Sequence, residues 1–297
     1  MSESIDLHFL GHSSIIGTAV LRGPDGVALI DPGPSTTVPA LEAGLSAMGI
    51  GWPDVRWLLL THIHLDHGGG AGTILAAHPH VEVYVHERGA PHMADPTKLV
   101  ASATRLYKDQ MDRLWGPVLP VPAARIRALP DHAEIALAGR TLEAQLTPGH
   151  ASHHVCFFDP AERIVFAGDT AGTRQPGDAE VVPPTTPPEI DVEVWRRSTD
   201  RLLAWKPRAF FLTHFGLVHD PEAHIDRFWR RMDDWSARVH TSLSEPGTDD
   251  ERAEAFSRAV LADLAARSTA ETANAHAIAA PFTLCWQGLA RYWRKRS

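Results

Sequence analysis

The chain has 297 residues, 44% of them hydrophobic and 22% charged, with a formal net charge of −8 at pH 7. This composition is typical of a folded globular protein with a sizeable core, either one large domain or a domain with an extension, and it excludes a disordered chain. The acidic balance argues against a nucleic-acid-binding surface, which is normally basic.

Three further features bear on localisation. No stretch approaches the ~18 consecutive apolar residues of a membrane span. The opening sequence MSESIDLHFLG lacks the basic and apolar regions of a secretory signal. The cysteines, Cys156 and Cys285, are too few for a disulfide scaffold. We therefore expect a cytoplasmic protein without a membrane or nucleic-acid partner.

In chain order, the first elements are short strands separated by glycine turns. The pattern predicts strands over residues 5–10, 17–23 and 26–30, and a helix over residues 38–48. Asp31 follows the third strand and precedes a Pro-Gly pair. Two interpretations of Asp31 stay open: its carboxylate accepts a hydrogen bond from a metal-binding histidine, or it forms an Asx turn.

A run of ligand-type side chains follows the apolar segment over residues 57–60, which is short enough to be a buried strand. The sequence THIHLDHGGG places there His62, His64, Asp66 and His67. Alternation along an extended chain puts His62 and His64 on the same side, where both can reach one ion. Imidazole and carboxylate groups suit zinc, iron or manganese. The pattern therefore predicts a metal site, and the alternative is a hydrogen-bonded histidine cluster.

Residues 89–122 show a different pattern, with apolar side chains at helical spacing and a proline-rich exit. We predict that they form a helical insertion. Two interpretations of Tyr107, Met111 and Trp115 stay open, because such a stripe either lines a substrate pocket or belongs to the core.

Strands return after the insertion, and three of them end in a His or an Asp. The predicted strands cover residues 126–128, 134–137, 141–146, 155–158, 163–167 and 210–212. His150 follows the third of these strands, Asp169 the fifth and His214 the sixth. Together with the first cluster, four strand ends present ligand-type side chains, and one metal site explains all four.

The order HxHxDH, His, Asp, His resembles the pattern of the metallo-β-lactamase fold superfamily, over about residues 5–216. The resemblance implies an α/β fold, a four-layer αβ/βα sandwich with metals at one edge of two facing sheets. It implies two divalent metal ions, with zinc expected and iron or manganese as alternatives. By this resemblance one ion is held by His62, His64 and His150, the other by Asp66, His67 and His214, and Asp169 bridges them.

The implied chemistry is hydrolysis, in which two ions lower the pKa of a shared water towards about 7 and polarise a carbonyl. Asp66 is the expected catalytic residue, because it can combine ligation with orienting the hydroxide. Asp169 stands where true β-lactamases often have cysteine, and the GTRQPGDAE that follows the GD pair differs from the corresponding segment of glyoxalase II and persulfide dioxygenases. We therefore expect a dinuclear hydrolase of a small-molecule ester, lactone or thioester.

Two rival classes are weighed against hydrolysis. One is an iron-dependent redox enzyme on the same scaffold, similar to persulfide dioxygenases or flavodiiron proteins. The other is a non-catalytic binding protein, which is disfavoured because every ligand position of the pattern is filled.

Four residues beside the motifs have open roles. His153 and His154 follow His150, and they either support the ligands or contact substrate, or they are ordinary polar residues at a strand start. Arg174 follows Asp169 and is a candidate contact for an anionic substrate group. Tyr107 is the one tyrosine placed to match the tyrosine that lactonases of the family often hold near the metals.

The last part of the chain is predicted to be helical over residues 221–244, 251–267 and 282–293. We therefore divide the chain into a catalytic domain, residues 1–220, and a helical extension, residues 221–297. This extension either covers the sandwich or pairs two subunits. A homodimer is a hypothesis motivated by three aromatic side chains that we expect to be exposed, Trp286, Tyr292 and Trp293.

Overall fold

The computed structural model describes residues 3–296. Within these residues the chain forms twelve strands, β1 to β12, at Glu3–Asp6, Gly17–Gly23, Gly26–Ile30, Val55–Leu59, Glu82–His86, Ile126–Leu129, Ala133–Leu137, Arg140–Leu146, Val155–Asp159, Ile164–Phe166, Ala209–Leu212 and Gly216–Val218. It also forms eleven α-helices, α1 to α11, at Val38–Ala47, Leu65–Gly68, Ala71–Ala77, Ala90–Ala94, Thr97–Tyr107, Met111–Leu114, Val192–Ala204, Pro221–Ser242, Asp249–Arg267, Ala270–Ala279 and Phe282–Arg294. None of the helices in this range combines the length and the hydropathy that crossing a membrane requires.

The strands form two mixed sheets of six strands each. The first has the order β1-β2-β3-β4-β5-β6, and its neighbours from β3 to β6 are parallel. The second has the order β12-β11-β10-β9-β8-β7, and its parallel pair is β10 with β11. Parallel neighbours end at the same edge of a sheet, so the segments that follow β3 and β4 lie side by side, as do those that follow β10 and β11.

Three layers of apolar packing hold the sheets and helices together. Between the sheets, residues such as Leu21 and Leu59 of the first sheet share a core with Phe157 and Phe166 of the second. The outer face of the first sheet packs against α1, α3 and the helices of residues 90–114. The outer face of the second packs against α7 to α11. The predicted four-layer αβ/βα sandwich is therefore confirmed.

The C-terminal helices share one core with the second sheet. Trp235 of α8 and Leu289 of α11 belong to the same buried cluster as Phe210 of β11. The apolar stripe predicted in α8 is buried along its whole length. These helices therefore cover the sandwich, while the domain division at residue 220 stays a prediction.

The aromatic side chains that motivated a homodimer lie inside this helical layer. Trp286 is 1% exposed and Tyr292 is 4% exposed. Trp293 is half-buried, and its indole N–H donates to the carbonyl of Ser236 at 3.0 Å. The expectation that they are exposed was wrong for Trp286 and Tyr292, because the Trp286 indole donates to the hydroxyl of Ser242 in α8 and the Tyr292 hydroxyl donates to Glu193 in α7. The oligomeric state itself stays a prediction.

The first predicted strand is shorter than the sequence indicates. It ends at Asp6, whose carboxylate accepts hydrogen bonds from the backbone N–H groups of His8 (3.0 Å) and Ser14 (2.8 Å). The chain then turns with positive φ angles at His8 (47°) and Leu10 (54°). The segment after β1 is therefore a loop, and this loop reaches the site described next.

Candidate metal centre

The ligand-type side chains of the sequence meet at one edge of the two sheets. His62 and His64 follow β4, and the short helix α2 carries Asp66 and His67. The other three come from the second sheet: His150 follows β8, Asp169 follows β10 and His214 follows β11. All seven residues that the sequence singles out are brought together.

These side chains form two groups of three. The ligand atoms of His62, His64 and His150 all lie within 4.8 Å of one another, and the same holds for Asp66, His67 and His214. Asp169 lies between the groups: one of its carboxylate oxygens is 3.3 Å from Nε2 of His67 and the other is 3.3 Å from Nε2 of His150. The arrangement has the donor types and the spacing of a dinuclear centre.

The hydrogen bonds of the imidazole rings test whether these residues fit metal ions. Nδ1 of His150 donates to the carbonyl of Pro184 at 2.8 Å, and Nδ1 of His214 donates to the carbonyl of Ile15 at 2.6 Å. Because a carbonyl only accepts, Nδ1 carries the proton in both rings, and Nε2 keeps a free lone pair. The Nε2 atoms of His214 and His67 face each other at 3.2 Å. Lone pairs that converge without a hydrogen between them fit a cation.

Burial and charge set the protonation of the cluster. Burial lowers the pKa of His62 well below its usual range and that of His64 to about 3. Burial alone raises the pKa of Asp169, but the charges of His67 and His150 outweigh it and hold that pKa well below its usual range. Burial lowers the pKa of His67 and His214, but the neighbouring carboxylates outweigh it and raise both pKa values, that of His67 well above its usual range. Metals bind neutral imidazoles and ionised carboxylates, so a cation here takes the place of the protons on these two rings. One carboxylate oxygen of Asp169, Oδ1, is buried without a hydrogen-bond donor, as expected of an oxygen reserved for a cation.

Asp31 supports the cluster from behind. Its carboxylate accepts hydrogen bonds from Nδ1 of His67 (2.8 Å), the hydroxyl of Thr61 (2.7 Å) and the hydroxyl of Thr213 (2.7 Å). It also accepts the backbone N–H of Thr61 at 2.8 Å. Of the two interpretations of Asp31, the hydrogen bond to a histidine of the motif is the one present.

His154 contacts the cluster on another side. The ring is fully buried, its Nε2 accepts the backbone N–H of Asp169 at 3.2 Å, and it stacks on His62 with ring centroids 4.8 Å apart. Nδ1 is 2.9 Å from the hydroxyl of Thr147. A Cβ at Gly168 would lie 2.5 Å from the Thr61 hydroxyl and 2.8 Å from Nε2 of His154. His154 is therefore a supporting group, and Gly168 allows its close approach.

Sequence reasoning missed the hydroxyl groups around Asp31. A signal was present, because Thr61 and Thr213 each precede a histidine at a strand end, in the dipeptides at residues 61–62 and 213–214. The repeated Thr-His pair marks two equivalent positions, one from each sheet, that meet at the same carboxylate.

The remaining candidates lie in different places. His153 and Tyr107 line the cavity that opens onto the cluster, whereas Arg174 does not. The guanidinium of Arg174 donates through Nε to the carbonyl of Asp178 at 2.7 Å, which ties down the loop after Asp169. Burial raises the pKa of Tyr107, and the nearby carboxylates Asp66 and Asp169 raise it further. The Tyr107 hydroxyl therefore stays protonated at neutral pH.

The fold and the cluster define a class, a four-layer sandwich with a His/Asp metal-type centre at the edge of its sheets. Residues 16–214 match the family described as the Metallo-beta-lactamase superfamily. The match covers about two thirds of the sequence, and the chain belongs to this superfamily.

This chain matches its curated relatives over only part of their length. The chain is 30% identical over 165 residues to the metallo-beta-lactamase fold-containing protein ST1585 of Sulfurisphaera tokodaii, covering 54% of this chain and 61% of that protein. It is 34% identical over 115 residues to thioesterase pkgB of Emericella nidulans, covering 39% of this chain and 24% of that protein. The chain thus spans less than two thirds of these relatives.

Solved structures resemble the fold over nearly the whole chain. The crystal structure of ST1585 from Sulfolobus tokodaii superposes with a TM-score of 0.68 at 21% identity, covering 97% of both chains. The family protein TTHA1429 from Thermus thermophilus gives a TM-score of 0.67 at 23% identity, covering 95% of this chain and 89% of that one. At these identities the likeness establishes the fold, which here includes the C-terminal helices.

Proposed function

We propose that the protein is a dinuclear metal-dependent hydrolase of small-molecule esters, thioesters or lactones. The observation that carries the proposal is the pair of three-residue groups on either side of Asp169. In this proposal one divalent ion is held by His62, His64 and His150, the other by Asp66, His67 and His214, and Asp169 contacts both. Zinc is the expected metal because nitrogen-rich sites suit it, and iron and manganese are the alternatives.

Bound ions of this kind supply a water of lowered pKa and a Lewis acid for a carbonyl oxygen. The protein's own residues orient the attacking water and the substrate. Burial raises the pKa of Asp66, but the charges of His67 and His214 outweigh it and hold that pKa at about 2. The Asp66 side chain is 23% exposed, against 5% for Asp169. In this proposal Asp66, which is ionised and more exposed than Asp169, accepts a hydrogen bond from the attacking water and so orients it.

Tyr107 lines the same cavity as Asp66 and Asp169, and burial keeps its hydroxyl protonated by raising its pKa. In this proposal the hydroxyl donates a hydrogen bond to the substrate's carbonyl oxygen as negative charge develops there.

The names of two relatives support an ester-type bond. Thioesterase pkgB shares 34% identity over 115 residues, and the atrochrysone carboxyl ACP thioesterase of Aspergillus fumigatus shares 29% over 116 residues. The second match covers 39% of this chain and 32% of that protein. A thioester carbonyl is attacked by the same water chemistry as an ester or lactone, so the proposal includes all three.

The test is turnover by protein loaded with zinc, iron or manganese on four substrate classes: thioesters, 4-nitrophenyl esters, lactones and β-lactams. We expect hydrolysis of at least one of the first three classes, and we expect His64→Ala and Asp169→Ala to lower kcat/KM by at least about a thousandfold, because each removes a ligand.

The matched control is His219→Ala, which removes an exposed imidazole outside the cluster. It should retain the turnover of the unmodified protein. Full activity in His64→Ala and Asp169→Ala would refute the site. Oxygen consumption by the iron-loaded protein, without hydrolysis, would favour the redox alternative.

A further inference from the structure

The metal-type cluster opens onto a cavity whose walls are mostly apolar. The cavity has a volume of about 420 Å³, within the range of small-molecule sites. One end is formed by His64, Asp66, Asp169 and His214. The cavity is therefore continuous with the reacting centre.

Several separate parts of the chain supply the apolar walls, and Leu65 of α2 and the prolines of residues 184–188 are among them. The loop after β1 contributes Phe9 and Ile15, the helical insertion contributes Leu99 and Leu106, and α10 contributes Ile278. Of these, Leu99, Leu106 and Ile278 are only half-buried. Apolar side chains left partly uncovered inside a cavity are stabilised by an apolar ligand that removes them from water.

An aromatic cluster makes part of the wall rigid. Trp115 stacks on Phe9 with ring centroids 5.6 Å apart and meets Tyr107 edge-on at 5.0 Å. The two interpretations given for Tyr107 and Trp115, core packing and pocket lining, are both present: the rings pack with the core and also line the cavity.

The exposure of the two cluster carboxylates indicates the side on which the leaving group departs. Lys98 is exposed and is the one lysine or arginine among the lining residues, and Asp66 is the more exposed of the two cluster carboxylates. A leaving group departs towards water and is protonated there, so it belongs on the side of Asp66. The acyl half of the substrate then faces the apolar walls.

We propose that the cavity binds an apolar straight-chain acyl group, so that the preferred substrates are esters or thioesters of medium-chain acids. This inference rests on the proposed hydrolase function and specifies its substrate. Phe9, Leu99, Leu106 and Ile278 contact the acyl chain, and the carbonyl lies at the Asp66 and Asp169 end.

The test uses zinc-loaded protein and two substrate series from acetyl to decanoyl, as thioesters of N-acetylcysteamine and as 4-nitrophenyl esters. We expect kcat/KM to rise about threefold to fourfold for each methylene until the cavity is filled, since each buried methylene contributes a roughly constant transfer free energy. Turnover that is present but independent of chain length overturns the inference and leaves the proposed function standing.

A matched pair of variants tests whether the acyl chain of the substrate lies in the cavity. Ser102→Trp puts an indole into the cavity wall, whereas Ala101→Trp puts the same indole on the exposed face of the same helix. Ser102→Trp should lower the ratio of decanoyl to acetyl turnover at least about tenfold, and a circular-dichroism spectrum equal to that of the unmodified protein shows that the variant is folded. Ala101→Trp should leave the ratio unchanged. Equal ratios in both variants overturn the inference.

Binding of decan-1-ol, measured by calorimetry, separates the two proposals because it needs no hydrolysis. We expect binding to the unmodified protein and to Ala101→Trp, and loss of at least about tenfold in affinity with Ser102→Trp. Binding without hydrolysis of any substrate supports the cavity as an apolar site and overturns the proposed function. Absence of binding, together with a flat chain-length profile, overturns the inference.

Discussion

At the scale of single residues, Asp31 connects both sheets to the metal-type cluster. Its side chain is fully buried, and it is surrounded by His67 of α2, by Thr61 after β4 of the first sheet and by Thr213 after β11 of the second. A buried carboxylate that accepts several hydrogen bonds fixes each donor in one orientation. The Nδ1–H of His67 is thereby directed to Asp31, and Nε2 is left for a cation.

Asp31→Asn tests this role. The amide keeps the shape but presents an NH₂ group to donors, so at least one of the present hydrogen bonds is lost. We expect metal affinity to fall about 10- to 100-fold, the usual effect of removing a group that orients a ligand. Competition titration against a chromogenic chelator measures it, and an unchanged affinity would show that His67 needs no such support.

The residue scale also shows how far the sequence determines the site. The seven ligand-type residues were predictable because each follows a strand within a few positions, and strand ends at one edge converge. The role of His154 was not, because its hydrogen bond to the backbone of Asp169 depends on the loop geometry at Gly168. The choice between the two interpretations of Asp31 likewise depended on a distant contact, because the histidine that donates to its carboxylate, His67, is 36 positions away in the sequence.

At the scale of elements, the amphipathic helices were predictable and the less regular ones were not. In α8 the buried side chains are large and apolar, so the helical period is evident. In α7 the buried face includes Ser198 and Thr199, whose hydroxyls are satisfied by the carbonyl of Pro148 and by Trp229. Polar residues on the buried face conceal the period. Helix α10 is rich in alanine and lacks an apolar stripe.

The start of α8 carries a titratable group that links pH to stability. His224 is fully buried, and its Nε2 donates to the carbonyl of Ala171 at 2.7 Å. The pKa of His224 is lowered to about 4: burial is the main cause, the hydrogen bond to the Ala171 carbonyl opposes it, and the charges of Arg174 and Arg227 add to the lowering.

The unfolded chain binds a proton at His224 near pH 6.5, whereas the folded chain does so only near pH 4. The unfolded state therefore binds more protons in this interval, and the free energy of unfolding falls as pH falls from 6.5 towards 4. The contribution of this residue at pH 5 is a loss of about 2 kcal/mol relative to pH 7.

His224→Gln keeps a donor for the Ala171 carbonyl but does not titrate. We expect urea unfolding at pH 7 and pH 5 to show a smaller difference in the variant than in the unmodified protein, by about 2 kcal/mol. Equal differences in the two proteins would mean that His224 is not held neutral by burial.

At the scale of the whole molecule, the cavity is lined by parts of the chain that are distant in sequence. The loop after β1, the insertion and α10 line the cavity together with residues of the metal-type cluster and of the segment 184–189. Helix α10 is tied to the loop after Asp169, because His276 lies 3.2 Å from the hydroxyl of Thr173 and 3.3 Å from the carboxylate of Asp178. The C-terminal helices therefore complete a site that the sequence alone placed within the first 220 residues.

The fold was predictable from the chain through its resemblance to the metallo-β-lactamase superfamily, which the order of the His and Asp motifs indicates. The cavity was not, since Phe9, Leu106 and Ile278 come from segments that have no common sequence pattern. Their proximity depends on how helices pack on the sheets, which periodicity does not report.

The most direct test of the account is an anomalous difference map at the zinc edge, from crystals of protein loaded with zinc. We expect two peaks per chain on either side of Asp169, the first about 2.0–2.1 Å from nitrogens of His62, His64 and His150 and the second at similar distances from His67 and His214. A map without peaks among these side chains, or with zinc bound only elsewhere on the surface, would contradict the central claim.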